Sequence, residues 1–264
     1  MTADDRKKIS KYFKKFPKWV LWALLPCLVL LFVEPISGII GIGLGIFFIR
    51  KWYVRISDRQ FDTYLEESLQ TLEEQAKDKL RLDDADLVKD TESVLSPVFW
   101  RISGAEFGLK KGNDRAIRYT PVCVALIFFT EHKLCIYQCS LDLTTGNPLN
   151  VGSKKYFYED VVSIETESNT ITIDRNDIKK EVFRHLPKLN DSIVNNKLQI
   201  NQSEQFVLTT RGGNSIKIQL PDYTILNYGV DGELVSSRSD QAIASVEAML
   251  DSKKSKSKNV TTKI

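Results

Sequence analysis

The sequence predicts an α+β protein: an N-terminal transmembrane helical hairpin, a helical stalk, then an antiparallel β domain whose open end a C-terminal helix covers. Three observations predict it. Residues 19–52 form one apolar run, WVLWALLPCLVLLFVEPISGIIGIGLGIFFIRKW. A charged segment follows whose apolar residues recur every three or four positions, and from about residue 94 the period shortens to two.

Residues 1–18 read as a basic amphipathic segment. Ile9, Tyr12, Phe13 and Phe16 fall at i, i+3, i+4 and i+7 among lysines, which suits a helix lying in the headgroup plane and ending at Pro17; a solvated basic tail is the other reading. Taken as one helix, residues 19–49 would be about 46 Å long against a hydrocarbon core of ~30 Å, with Glu34 near its centre at about 3 kcal/mol. Two arms turning at Glu34 and Pro35 remove both difficulties. Lys14, Lys15 and Lys18 precede the run and Arg50 and Lys51 close it, while Trp19, Trp22 and Trp52 sit only at its two ends. That pattern places both ends at one membrane face, hence both termini in the cytoplasm of a multi-pass bacterial inner-membrane protein in contact with membrane lipids. Each arm spans about 24 Å, so the hairpin either crosses fully or stops short as a re-entrant wedge. Gly38, Gly41 and Gly45 mark a helix-packing face on the second arm, either against the first arm or against another copy of the chain.

Residues 57–92 are expected as a helical stalk and linker. Ser57 or Asp58 caps it, and Phe61, Tyr64, Leu65, Leu69, Leu72 and Ala76 keep one apolar stripe, which must bury against the chain's own domain or a second stalk. Over 94–252 the runs FWRISGAEFGL, RAIRYTPVCVALIFFT, KLCIYQCSLDL, KKYFYEDVVSIETES, TITID, QFVLTTR and SIKIQL read as strands, separated by turn signals such as KKGND, TEHK, TTGNP and RGGN. SDQAIASVEAMLDSKK supplies the closing amphipathic helix, and residues 253–264 a basic, disordered tail.

ALIFFTEHKLCIYQ followed by YFYEDVVSIETES resembles bacterial pleckstrin-homology-like and GRAM-like domains. The resemblance covers roughly residues 95–252 and implies an antiparallel pleckstrin-homology-like β-barrel capped by the C-terminal helix. Residues 175–204 form an insertion beyond such a fold. The basic cluster with which eukaryotic relatives hold phosphoinositides has only KKGNDR as a counterpart, so headgroup binding is not carried over. Within the insertion, Asn176 or Asp177 caps a short helix ending near Pro187, and Phe183, Leu186, Leu189 and Ile193 are more apolar than a free loop needs. They pack on the sheet or form a surface for a partner.

The formal net charge of +3 conceals basic ends around an acidic body, which argues against nucleic acid as the main partner. Cys27, Cys123, Cys135 and Cys139 lack the C-x₂₋₄-C spacing of a zinc site, and Cys135 and Cys139 would stand ~13 Å apart on a strand. No metal, no cofactor and no catalytic set is expected: His132 falls in a hairpin turn, His185 in the insertion, and Gly212 and Gly213 read as a tight turn. The expected function is a membrane-anchored binding or scaffold protein presenting its β domain to a protein partner. An oligomeric membrane effector or pore component, and an enzyme with an unrecognised site, are the alternatives.

Overall fold

A computed structural model describes residues 1–14, 35–53, 56–98, 102–178, 180–221, 233–234 and 239–261. The chain divides into two compact units, Met1–Tyr64 and Leu65–Ile264.

In the first unit, helix α1 (Ala3–Phe13) starts at a reciprocal cap: the Asp5 N–H donates to Thr2 Oγ1 (3.3 Å) and the Thr2 N–H to the Asp5 carboxylate (3.1 Å). Helix α3 (Asp58–Leu80) begins the same way. The Gln60 N–H donates to Ser57 Oγ (3.2 Å) and the Ser57 N–H to Gln60 Oε1 (3.0 Å), so Ser57 is the cap. The apolar side of α1 does not face headgroups. Ile9 and Tyr12 are buried, Tyr12 stacks on Phe61 with ring centroids 4.9 Å apart, and Phe13 meets Phe61 edge-on at 5.4 Å. Two hydroxyls fix the pairing: Tyr12 donates to Asp58 (2.7 Å) and Tyr64 to Asp5 (3.0 Å).

The membrane expectation is corrected here. Among the described residues no helix is long and apolar enough to cross a membrane. Helix α2 (Pro35–Tyr53) is the second arm of the expected hairpin. Its apolar stretch, Ile36 to Ile49, covers about 21 Å against the ~30 Å of a hydrocarbon core, and four glycines dilute its hydropathy. The transmembrane hairpin and the multi-pass inner-membrane location are therefore unsupported. Lys15, Lys18, Trp19, Trp22 and Glu34 lie outside the described residues; Arg50, Lys51 and Trp52 fall on the last turn of α2.

In the second unit, Leu72, Ala76 and Leu80 continue the buried stripe of α3. Strand β1 (Leu87–Pro97) begins well inside the segment expected as linker. Two short strands, β2 (Gly108–Lys111) and β3 (Ala116–Thr120), branch off before β4 (Val122–Thr130), β5 (Lys133–Leu141) and β6 (Pro148–Phe157) complete an antiparallel sheet in the order β1-β4-β5-β6. FWRISGAEFGL is not one strand: residues 102–107 form a turn and loop, and pairing starts at Gly108. Strand β7 (Val161–Asp174) pairs with β9 (Lys197–Thr210), which pairs with β10 (Ser215–Gln219), and β8 (Ile193–Val194) also lies on β9. The turn between β9 and β10 is the glycine turn, with Gly213 at φ +76° and the Thr210 N–H donating to the Asn214 carbonyl (2.9 Å). Strand β11 (Glu233–Leu234) adds in parallel to β3.

The expected barrel does not close. β6 and β10 share no backbone ladder; instead Lys154 Nζ donates to the Ser215 carbonyl (2.7 Å) and Gln138 Nε2 to the Lys217 carbonyl (3.0 Å). Five residues of β10 offer too short an edge to complete the ring. The sheets enclose one core, which includes Phe129, Leu134, Ile136, Phe206, Leu208 and Ile218. Ala242, Val246 and Leu250 of helix α5 (Ser239–Thr261) cover it. That helix runs on through most of the segment expected as a disordered tail.

The insertion builds a second core. Ile173, Leu198 and Ile200 from the β7-β9 ribbon meet Leu109 and Ile117 from β2-β3, and Val182 of the short helix α4 (Lys180–His185) joins them. Neither Asn176 nor Asp177 caps α4: Arg175–Asp177 is a separate 3₁₀ turn, whose start Asp174 caps by accepting from the Asn176 N–H.

Two outcomes follow. The Thr2 hydroxyl, helped by the Thr2 N–H, Lys8 and Tyr64, holds the Asp5 carboxyl well below the usual carboxylate range. Its contribution is complete above about pH 4 and is lost as pH falls further. The tyrosine near-ultraviolet signal of the first unit should show this acid limb in wild type and lose it in Asp5→Asn. Phe206→Ala, at a fully buried ring, should cost about 3–5 kcal/mol in urea unfolding.

Candidate functional site

Three polar clusters of the β domain contain the residue types of catalysis. Asp142, fully buried after β5, accepts from the Thr144 N–H (2.9 Å), the Thr144 and Thr145 hydroxyls (2.8 and 3.2 Å), the Thr120 hydroxyl (3.4 Å) and the Glu106 N–H (3.3 Å). Those bonds fold the DLTTGNP turn around it. Arg118, 3% exposed, grips Asp114 with both guanidinium nitrogens (3.0 and 2.7 Å). The Arg118 guanidinium holds the Asp114 carboxyl down at about 2. Asp114 of KKGNDR is thus tied to a β3 cation outside that run, and the buried Arg118 already has a counter-charge.

The third cluster joins β1 to α5. The buried Glu92 carboxylate accepts from Ser245 Oγ (2.7 Å) and pairs with Lys89 Nζ (3.2 Å), which also contacts Ser245 Oγ. A serine beside a lysine invites a nucleophile reading. Here the hydroxyl's proton is committed to Glu92, and Ser245 is itself buried on the face of α5 that meets β1, so the trio reads as a strand-to-helix lock.

A groove of about 570 Å³ lies on the outer side of the β7-β9-β10 sheet, lined by Ile171, Asp174, Asp177, Gln205, Lys217 and Gln219 among others. Its polar groups are largely spoken for. Lys217 pairs with Glu167 (3.0 Å), Gln205 donates to Gln219 (3.2 Å), and Asp174 accepts from Asn196 Nδ2 (3.2 Å) and the Asn176 N–H (3.0 Å).

The cysteines are placed as small apolar residues. Cys123, Cys135 and Cys139 are free thiols on β4 and β5; burial pushes all three up, Cys139 to about 12. Cys27 lies outside the described residues. His132 is exposed at the β4-β5 turn, where its carbonyl accepts from the Tyr158 N–H (3.3 Å), and His185 ends α4.

The apolar partner residues named from sequence divide. Leu186 and Leu189 are 1% and 0% exposed, members of the second core, while Phe183 and Ile193 are half-buried at its margin, with the Arg175 guanidinium 5.9 Å from the Phe183 ring centroid. That set gives no continuous docking face. Helix α2 does. Ile36, Ile39, Ile40, Leu44, Ile46 and Phe47 are each between 50% and 77% exposed within the first unit, and Gly43 is exposed among them. Gly41 and Gly45 are half-buried, and lie on the other side of the helix at 100° per residue. Of the helix ends, Lys14 is exposed and caps the last turn of α1 through its own N–H to the Lys11 carbonyl (3.2 Å).

No family model matches the chain. No curated protein and no solved structure matches it either. The pleckstrin-homology-like resemblance accordingly rests on the sequence patterns that carried it.

Sequence reading missed Glu92, Asp142, Arg118 and Ser245. Only Asp142 left a signal, in the run of turn residues after it. The strand-to-helix lock is testable. Ser245→Ala leaves the buried carboxylate with Lys89 alone and should lower stability by about 1–3 kcal/mol in urea, while adding Glu92→Leu should recover most of it.

Proposed function

We propose that this chain is a binding and scaffold protein, in which the apolar face of α2 docks a protein partner and the β domain is carried with it. The observation that supports this reading is the concentration of six large, mostly exposed apolar side chains on twelve residues of one helix. A contiguous apolar patch of that kind is a docking surface in most folded proteins that have one. The polar clusters of the β domain favour the same reading, because each is explained by the bonds it makes within the fold.

The test is Ile40→Asp combined with Leu44→Asp in the full chain. Both positions are more than half exposed, so the fold should keep its far-ultraviolet circular dichroism, while recovery of cross-linked protein partners from cells should drop about tenfold or more. An unchanged partner set would remove the docking role of α2.

A further inference from the structure

We infer that the lobe built by β2, β3 and the insertion is a jaw, which closes over the groove beside it by bending the β7-β9 ribbon at its bulge and drawing Asp177 towards Lys217.

The first ground is the course of the ribbon. Gln205 of β9 faces Glu167 of β7, and Asp174 lies seven residues further along β7. On a straight ribbon that spacing would set Asp174 about 23 Å beyond Gln205, at ~3.3 Å per residue. Both nevertheless line one groove of about 570 Å³. The ribbon therefore turns back over its own outer face between them. Its ladder is interrupted there: Asn169 faces Ser203 while Ile171 faces Ile200, so β9 carries one residue more than β7. An extra residue bends a strand and disrupts the local pairing.

The second ground is that the bend has no core beneath it. On one side Val161, Phe206 and Leu208 belong to the main core, and on the other Ile173, Leu198 and Ile200 belong to the second; among the described residues none belongs to both. Between them, Glu165, Thr166, Ser168, Asn169 and Thr170 of β7 are exposed and Glu167 is half-buried. A stretch of ladder without a buried side chain lies at the low-stability end of a fold. The other attachment of the lobe is firm. At the end of β3 the Thr120 hydroxyl accepts from the Leu143 N–H (3.1 Å) and donates to Asp142 (3.4 Å), which also accepts from the Glu106 N–H (3.3 Å). A lobe tied at one fixed corner and one pliant ribbon swings rather than detaches.

Charge gives the swing its direction. The jaw wall of the groove carries Asp174 and Asp177, and the facing wall carries Lys217 with Gln205 and Gln219. Asp174 is engaged by Asn196 and the Asn176 N–H, whereas Asp177 is exposed and has no ion pair among the described residues. Lys217 is paired with Glu167 (3.0 Å), which occupies one of the three donors of an ammonium. Closure brings the Asp177 carboxylate to the remaining donors, and salt opposes it by screening the approach.

The experiment measures the jaw by pulsed electron paramagnetic resonance on the purified full chain. p-Acetylphenylalanine replaces Thr172 on the jaw and Arg211 on the β9-β10 turn, both exposed, and each ketone carries a nitroxide, so the native cysteines stay untouched. Two distances are expected, the shorter one populated at low salt and reduced about two- to fivefold at about 1 M salt, where the Debye length is about 3 Å. Asp177→Asn should produce the same reduction at low salt, the weight of one exposed ion pair. Asp191→Asn, an exposed acid of the insertion that does not line the groove, should leave the proportions unchanged. A single distance under every condition overturns the jaw. Two distances whose proportions ignore Asp177→Asn, or answer equally to Asp191→Asn, overturn the closure of Asp177 on Lys217.

Discussion

The β domain has to exclude water from one apolar interior without a continuous ring of backbone hydrogen bonds around it, and much of its construction answers that requirement. Two open sheets supply Phe129, Leu134, Phe206 and Leu208 to the same core. Along one side, the amine of Lys154 and the amide of Gln138 bridge the edges. Elsewhere the cover is α5, whose Ala242, Val246 and Leu250 join that core and whose Ser245 binds the buried Glu92 of β1. A buried carboxylate is tolerable here because Ser245 donates to it and Lys89 supplies the counter-charge. The polar trio therefore does for α5 what apolar burial alone would not: it fixes the register of the helix on β1.

Several parts of this architecture were legible in the sequence for identifiable reasons. The stripe from Phe61 to Ala76 survives, with Phe61, Leu72 and Ala76 buried and Tyr64, Leu65 and Leu69 half-buried at helical spacing, and Ser68, outside the apolar pattern, is small enough to bury with them. The RGGN turn is readable because a positive φ at Gly213 has few other tenants. Strand β1 was hidden for the opposite reason. Its inward positions 92, 94 and 96 hold Glu, Val and Ser, so the alternation of burial has no matching alternation of hydrophobicity. RAIRYTPVCVALIFFT reads as one strand but is two, because Pro121 cannot donate to a ladder and separates β3 from β4.

The larger correction concerns the N-terminal residues, where apolar composition predicts a span that no described helix is long and apolar enough to make. Composition does not distinguish a helix that faces hydrocarbon from one that faces protein. In α1, lysines and aromatics at helical spacing fit a headgroup helix as well as they fit the observed role, a clasp of Tyr12 and Phe13 on Phe61. What separates the two readings is Asp5 and Asp58, each positioned to accept a tyrosine hydroxyl from the facing helix, a pairing of residues far apart in the chain that no local pattern reveals. The candidate surface was displaced for a related reason. For Leu186 and Leu189 the sequence leaves open packing within the fold or a surface for a partner, and β2 and β3 supply the packing.

The bridged gap between β6 and β10 has a further effect on how the protein behaves when crowded. A bare strand edge is a template on which another chain can add, the first step toward fibres. Here the carbonyls of Ser215 and Lys217 are already held by side chains of β5 and β6, and one of those side chains carries a cation. A ring left open in this way is guarded against growth by the same two bonds that stand in for its closure.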